Sequence, residues 1–211
     1  DFLNHSLSLG MDSIWRKTAI KKLNNNPNKI LDIATGTADF AISAAKYTQA
    51  QITGIDISQG MLDVGIKKIK EKNLKNRIKL KNADSENIPF KENYFDSITV
   101  GFGVRNFENL ALGLSEMHRV LNTNGMVAIL EPSIPKYFPL KQLYNIYFHY
   151  ILPIVGSWIS KDKSAYKYLP ESVEAFPSGN EFIRQLEKVG FKECKYFPLT
   201  FGIVSLYIAI K

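Results

Sequence analysis

At 211 residues, 45% of them hydrophobic, the chain is the size of one compact domain and carries enough apolar residues to bury a core. Its one cysteine, Cys194, excludes an internal disulfide, and no charged-then-apolar secretory signal opens it, so a reducing cytoplasm is the expected location. The net charge of +7 is concentrated in residues 66–81, where apolar residues interrupt lysines; this reads as a solvated helix face or as attraction to an anionic surface, and since no nucleic-acid motif accompanies it, the expected surface is a membrane and not nucleic acid.

Residues 3–23 open with the turn-like Leu9-Gly10-Met11-Asp12, after which Ile14, Trp15, Thr18, Ala19 and Leu23 recur at helical spacing behind Asp12 as the expected cap. Residues 1–28 are thus a lead-in helix and the polar breaker Asn24-Asn25-Asn26-Pro27-Asn28. Lys29 to Thr35 then reads as a short buried strand. Beyond it the signals alternate: helix 38–47, strand 51–57, helix 58–73, strands 77–82 and 95–102, helix 110–121, strand 126–131. Such alternation predicts an α/β fold, a doubly wound and mostly parallel sheet with helices on both faces. An aromatic insertion spans 133–177. Ser178-Gly179-Asn180-Glu181 follows as a capping-box pattern opening a helix that ends near Gly190. Runs 192–199 and 203–210, separated by Thr200-Phe201-Gly202, close the sequence as an antiparallel hairpin, within a single domain 1–211.

The chemistry begins at Leu31-Asp32-Ile33-Ala34-Thr35-Gly36-Thr37-Ala38-Asp39-Phe40, which runs from strand to helix, with Asp56 20 positions after Gly36 at the end of the next strand. This suits an adenosine ligand beyond the carboxyl ends of the strands, with the acidic group accepting from ribose hydroxyls. A dinucleotide loop needs a second glycine, where this sequence has Ala38, and an anion-holding helix start, where it has Asp39. A carboxylate there would repel a pyrophosphate and suit a cationic sulfonium with its ammonium group, so S-adenosyl-L-methionine fits better than NAD. Ala83 to Phe90 is either a surface turn or a segment in which Asp84 meets the adenine amino group.

These residues resemble class I methyltransferases, and specifically the ubiquinone/menaquinone biosynthesis C-methyltransferase family that includes the demethylmenaquinone methyltransferases. The resemblance rests on Asp1-Phe2-Leu3-Asn4, Trp15-Arg16-Lys17, the segment Leu31 to Asp39, Gly54 to Leu62 and above all Phe102-Gly103-Val104-Arg105-Asn106-Phe107. Tyr168 to Val173, Phe176-Pro177 and Leu199 to Val204 extend it downstream. The resemblance implies a Rossmann-like domain that binds S-adenosyl-L-methionine through Thr37 and Asp56, with Asp84 and Ser85 beside the adenine, Gly101 and Phe102 at the methyl-transfer end, and Asp32 and Gly36 shaping the loop. It implies C-methylation of a prenylated quinol, demethylmenaquinol to menaquinol. The sequence departs from the family pattern at Ala38, where many relatives have glycine, and at Asn122-Thr123-Asn124-Gly125, a turn before a strand.

Methyl transfer from a sulfonium needs an electron-rich acceptor held in line with the methyl group. A quinone ring is electron-poor, so the reduced quinol is the expected substrate. Arg105, at the carboxyl end of the fourth strand, could hold the developing phenolate or an ordered water with its fork of donors, Asn106 assisting; the alternative is an arginine paired with a carboxylate to anchor the loop. His118 and His149 are weaker candidates for a base. Three scattered histidines and one cysteine make no metal-ligand pattern. Residues 137–158 are rich in aromatic rings but interrupted by Lys141, Gln142, Asn145, His149 and Pro153, which argues against a membrane span. The segment is either a helix covering the sheet or, as the resemblance suggests, a lid receiving a prenyl tail at the inner face of the cytoplasmic membrane. A homo-oligomer is open, as are a ubiquinone precursor or another apolar acceptor, and a non-catalytic cofactor-binding role.

Overall fold

The computed structural model describes residues 10–23, 26–135, 137–146 and 164–211. Seven strands form one sheet in the order β3-β2-β1-β4-β5-β7-β6. They are β1 (Lys29–Ile33), β2 (Gln51–Asp56), β3 (Ile78–Asn82), β4 (Phe95–Gly101), β5 (Leu121–Pro132), β6 (Lys192–Leu199) and β7 (Val204–Ile210). All neighbours from β3 to β5 are parallel, whereas β7 inserts antiparallel between β5 and β6. The strand order turns back on itself between β1 and β4, so the connections leaving these two strands diverge and open a crevice at the carboxyl edge, where open α/β sheets take their ligands.

Both faces of the sheet are covered, which is why its central strands read as continuous apolar runs and not as alternating ones. On one face Ile30, Ile52, Met126, Ala128, Leu130, Leu206 and Ile208 pack with Trp15, Ala19 and Ile20 of α1 (Asp12–Lys22) and Ala41, Ala44 and Ala45 of α2 (Asp39–Tyr47). On the other, Leu31, Ile33, Ile98, Val100, Val127, Ile129 and Tyr207 meet Leu114 and Met117 of α4 (Leu110–Val120) and Phe182 and Leu186 of α7 (Asn180–Lys188). Between these lie α3 (Gln59–Glu71) after β2, and α5 (Leu140–Ile146) and α6 (Ser164–Ala175) after β5. The alanines of α2 let that helix lie close on the sheet, which fixes where its first turn meets the glycine loop.

Helix starts differ from expectation in two places. Asp12 is the first residue of α1 and not its cap: Met11 holds the cap position, and the Asp12 carboxylate turns inward to Arg16. No capping box opens α7. Gly179 stands at its N-cap with φ +62° and ψ −127°, a conformation open mainly to glycine, and donates its N–H to the Tyr207 hydroxyl at 2.8 Å. Tertiary packing thus takes the place of a local side-chain cap. Residues 122–125, expected as a turn, lie within β5, with Asn124 left-handed. Of the aromatic stretch 137–158, residues 147–158 fall outside the described residues, as do His5 and His149.

Candidate active site

The crevice holds a cavity of about 560 Å³, lined from four strand ends in spatial order: Asp84 and Ser85 after β3, Asp56 and Ile57 at β2, Ala34 to Thr37 after β1, and Gly101 to Gly103 with Arg105 to Phe107 after β4. Three inter-strand gaps of about 4.8 Å give this row a length of about 14 Å. All ten residues expected at the site lie on or under it: Asp32, Gly36, Thr37, Asp56, Asp84, Ser85, Gly101, Phe102, Arg105 and Asn106.

The loop after β1 is built by buried hydrogen bonds. Asp32 is fully buried and accepts from Thr35 Oγ1 at 2.5 Å and Thr99 Oγ1 at 2.6 Å, tying the loop to β4. Burial pushes its carboxyl up to about 6 against the pull of those two hydroxyls. Gly36 has φ +55°, a left-handed turn that only glycine enters without strain. Its N–H donates to Asp56 Oδ2 at 2.8 Å, and Ser58 N donates to Oδ1 at 2.8 Å, so Asp56 is oriented by two backbone donors while keeping lone pairs for a ligand. Ala38 adopts φ +67°, a left-handed conformation that its side chain disfavours. Asp39 is engaged by Lys68 Nζ at 3.0 Å and 3.1 Å, which moderates the negative helix start; Lys68 accordingly leaves the solvated face expected for the lysine run of α3.

After β4 the backbone makes a second strained turn. Phe102 is left-handed at φ +60°, costly for an aromatic residue, and Gly103 stands where a Cβ would lie 2.5 Å from that of Ala34. Glu131, wholly buried at the end of β5, holds this turn: Oε1 accepts from Val104 N at 2.7 Å and Oε2 from Arg105 Nη1 at 3.0 Å. The same Nη1 donates to the Phe102 carbonyl at 2.5 Å. Burial raises the Glu131 carboxyl, and the Arg105 charge opposes this. Arg105 is therefore paired with a carboxylate as well as lining the cavity. Asp84 anchors its own turn by accepting from Glu86 N at 2.8 Å. The turn is clamped to α4 by Glu116, which takes Ile88 N, and by Arg119, which reaches the Ile88 and Phe90 carbonyls. His118 does not line the cavity; it stands edge-on to Phe191, and burial lowers its basicity. Among the described residues no cluster of three His, Cys, Asp or Glu could hold a metal ion.

Three residues were not anticipated. Asp12 and Arg16 of α1 line the cavity, and the acid-base pair at i, i+4 was the signal for their contact. Glu131 was legible as a carboxylate ending the apolar run Val127 to Leu130, a place where a charge requires a partner. Seven carboxylates and two arginines line the cavity although the protein is cationic overall. That donor set opposes a pyrophosphate and fits a cationic adenosyl ligand. The left-handed Gly36 leaves no side chain between loop and cavity, since a Cβ there would sit 3.0 Å from Met61 Cε.

Fold and site together define a Rossmann-like S-adenosylmethionine-dependent methyltransferase. An S-adenosylmethionine-dependent methyltransferase from Aquifex aeolicus has the same fold, with a TM-score of 0.70 at 16% identity over 95% of this chain and 91% of its own. The model of the ubiE/COQ5 methyltransferase family matches residues 1–211, and the chain belongs to that family. It is 48% identical to a demethylmenaquinone methyltransferase of Bacteroides fragilis over all of this chain and 87% of that one. It is 46% identical to a ubiquinone/menaquinone biosynthesis C-methyltransferase of Geotalea daltonii over all of this chain and 91% of that one.

Proposed function

We propose that the protein transfers the methyl group of S-adenosyl-L-methionine to a ring carbon of a prenylated quinol, converting demethylmenaquinol to menaquinol. The acidic cavity over the glycine loop carries this reading in a member of this family. When bound, the cofactor supplies a methyl group on a sulfonium, an electrophile open to in-line displacement. Asp56, oriented by Gly36 and Ser58, would accept from the ribose hydroxyls; Asp84 and Ser85 would flank the adenine, and Ile57 and Met61, which also line the cavity, would cover it. Thr37 bounds the middle of the row, and Gly101 lies at its transfer end. Phe102, set edge-on to Trp15 at 6.1 Å, walls the transfer end. Arg105, its guanidinium plane fixed by Glu131, stabilises the phenolate left when the quinol hydroxyl gives its proton to solvent, and Asn106 assists; the hydrogen that the methyl group replaces on the ring carbon then leaves as a proton and restores the hydroxyl.

The acceptor is a membrane lipid in this reading, and the protein acts as a peripheral protein at the inner face of the cytoplasmic membrane. Exposed Lys67, Lys70, Lys72, Lys75, Lys79 and Lys81 support attraction to anionic headgroups. No helix among the described residues is long and apolar enough to cross a membrane. The name of the Geotalea relative favours a second acceptor, a ubiquinone precursor.

Purified protein incubated with methyl-labelled cofactor, a membrane fraction containing demethylmenaquinone and a reductant is expected to label menaquinone. Omitting the reductant is expected to abolish labelling. Label absent from every quinone in the reduced sample overturns the assignment, and equal labelling of the oxidised quinone overturns the quinol mechanism.

A further inference from the structure

The first helix brings charge into a cavity otherwise built from strand ends. Asp12 of α1 is 3% exposed, and its Oδ2 accepts from Arg16 Nη2 at 2.7 Å. Arg16 Nε is buried and has no hydrogen-bond acceptor, as is true of Arg105 Nε, but Arg105 is already held by Glu131 and the Phe102 carbonyl. Asp12 and Arg16 both line the cavity. Asp12 therefore fixes one edge of the guanidinium, and the donor set of Arg16 stays incomplete until another acceptor arrives.

The strand order says which acceptor. A ligand with its ribose at Asp56 over β2 and its base toward Asp84 beyond β3 must send its other end over β1 and β4. Toward the base the lining offers carboxylates and hydroxyls; its two arginines are Arg105, after β4, and Arg16 of α1, near Asp32 of β1. Arg105 already holds buried Glu131 and the Phe102 carbonyl, whereas Arg16 makes an ion pair with Asp12 of its own helix, and its charge reaches Asp32 beneath the glycine loop. An amino-acid tail lying over β1 has several carboxylates for its ammonium group and Arg16 for its carboxylate.

We infer that Arg16, held by Asp12, receives the α-carboxylate of the cofactor's methionine end and selects S-adenosylmethionine against adenosyl ligands that lack it; this rests on the cofactor reading above. Guanidinium suits the role because its planar fork can serve Asp12 and a second carboxylate at once. In the sequence this accounts for Arg16 following Asp12 by one helical turn, which places both on one face of α1.

The test is calorimetric binding of S-adenosylmethionine and of decarboxylated S-adenosylmethionine, which keeps the ammonium and sulfonium, to the full-length protein. Wild type is expected to prefer the carboxylated ligand, and Arg16→Gln to weaken that ligand on the order of 10- to 100-fold, the scale of one hydrogen bond to a charged group. The decarboxylated ligand should change by less than about 3-fold, as for a group it does not touch. Because Arg16→Gln takes the Arg16 counter-charge from buried Asp12, the pair Asp12→Asn/Arg16→Gln, which removes both charges, is measured alongside. Equal weakening of both ligands in a folded variant, or weakening of neither, overturns the assignment, as does a wild type that binds both ligands equally. A wild type that binds neither overturns the cofactor reading itself, and the role of Arg16 with it.

Discussion

Glu131 and Arg105 form an ion pair at 3.0 Å in which the carboxylate is completely buried. Its second oxygen holds Val104 N, so one side chain closes the turn that keeps Phe102 left-handed. Breaking a buried pair from one side costs more than the pair contributes, because the remaining charge stays desolvated. Glu131→Gln keeps the shape and one acceptor but leaves Arg105 without its counter-charge. It is expected to lower the unfolding free energy by about 3 kcal/mol, read by urea denaturation. A loss below about 1 kcal/mol, the scale of an exposed pair, would show that the site is wetter than this geometry implies.

Asp32 makes stability depend on pH in the opposite sense to a surface salt bridge. Its folded value, about 6, lies above the ordinary 3.8. Below the lower value both states hold the proton and the group is neutral in its effect. As pH rises through the window, the unfolded state ionises first while the native state keeps its proton, so stability falls until pH passes about 6. The full cost is about 3 kcal/mol. Asp32→Asn should remove this slope, so the stability difference between variant and wild type should shift in favour of the variant as pH is raised through that window. A difference that stays constant across it would mean that Asp32 is ionised throughout.

The glycine loop and Asp56 were legible because their requirements are local: a positive φ at Gly36, a strand before it, and an acidic residue at the end of the next strand. The mostly parallel sheet was legible for the same reason, since apolar runs buried on both faces leave no alternation. What escaped depends on contacts distant in sequence. Ala38 and Phe102 adopt left-handed conformations that their own side chains disfavour, and only the packed loop and the Glu131 anchor hold them there. Gly179 replaces Ser178 at the start of α7 because Tyr207, 28 residues away, receives its N–H. Lys68 reads as one more solvated lysine until β1 and β2 bring Asp39 beside it.

Asp56 joins loop geometry to ligand binding, since each of its oxygens accepts a backbone N–H at 2.8 Å. Asp56→Ala removes a charged acceptor for the ribose and also two anchors of the turns. Its removal should weaken S-adenosylmethionine binding by about 1.5 to 3 kcal/mol, and the melting temperature should fall with it. Isothermal titration that returned wild-type affinity would remove Asp56 from the cofactor site.

Arg105→Lys separates the two tasks that the structure gives this residue. Lysine can still meet Glu131 as a point charge, so the buried carboxylate keeps a partner, but it lacks the planar fork that reaches Glu131, the Phe102 carbonyl and the cavity from one rigid group. If oriented donation to the forming phenolate carries the chemical step, kcat should fall on the order of 10²-fold, the scale for losing one such donor. Cofactor affinity should stay near wild type, because the ribose and base contacts lie over β2 and β3, at the other end of the row. If Arg105 serves only to hold the turn, the melting temperature and cofactor affinity should fall together while turnover at saturation is largely kept. Single-turnover rates at saturating cofactor, compared with calorimetric affinity for the same variant, distinguish these outcomes. The second outcome would move the catalytic assignment to His149, since His118 stands on α4 against Phe191 and outside the cavity.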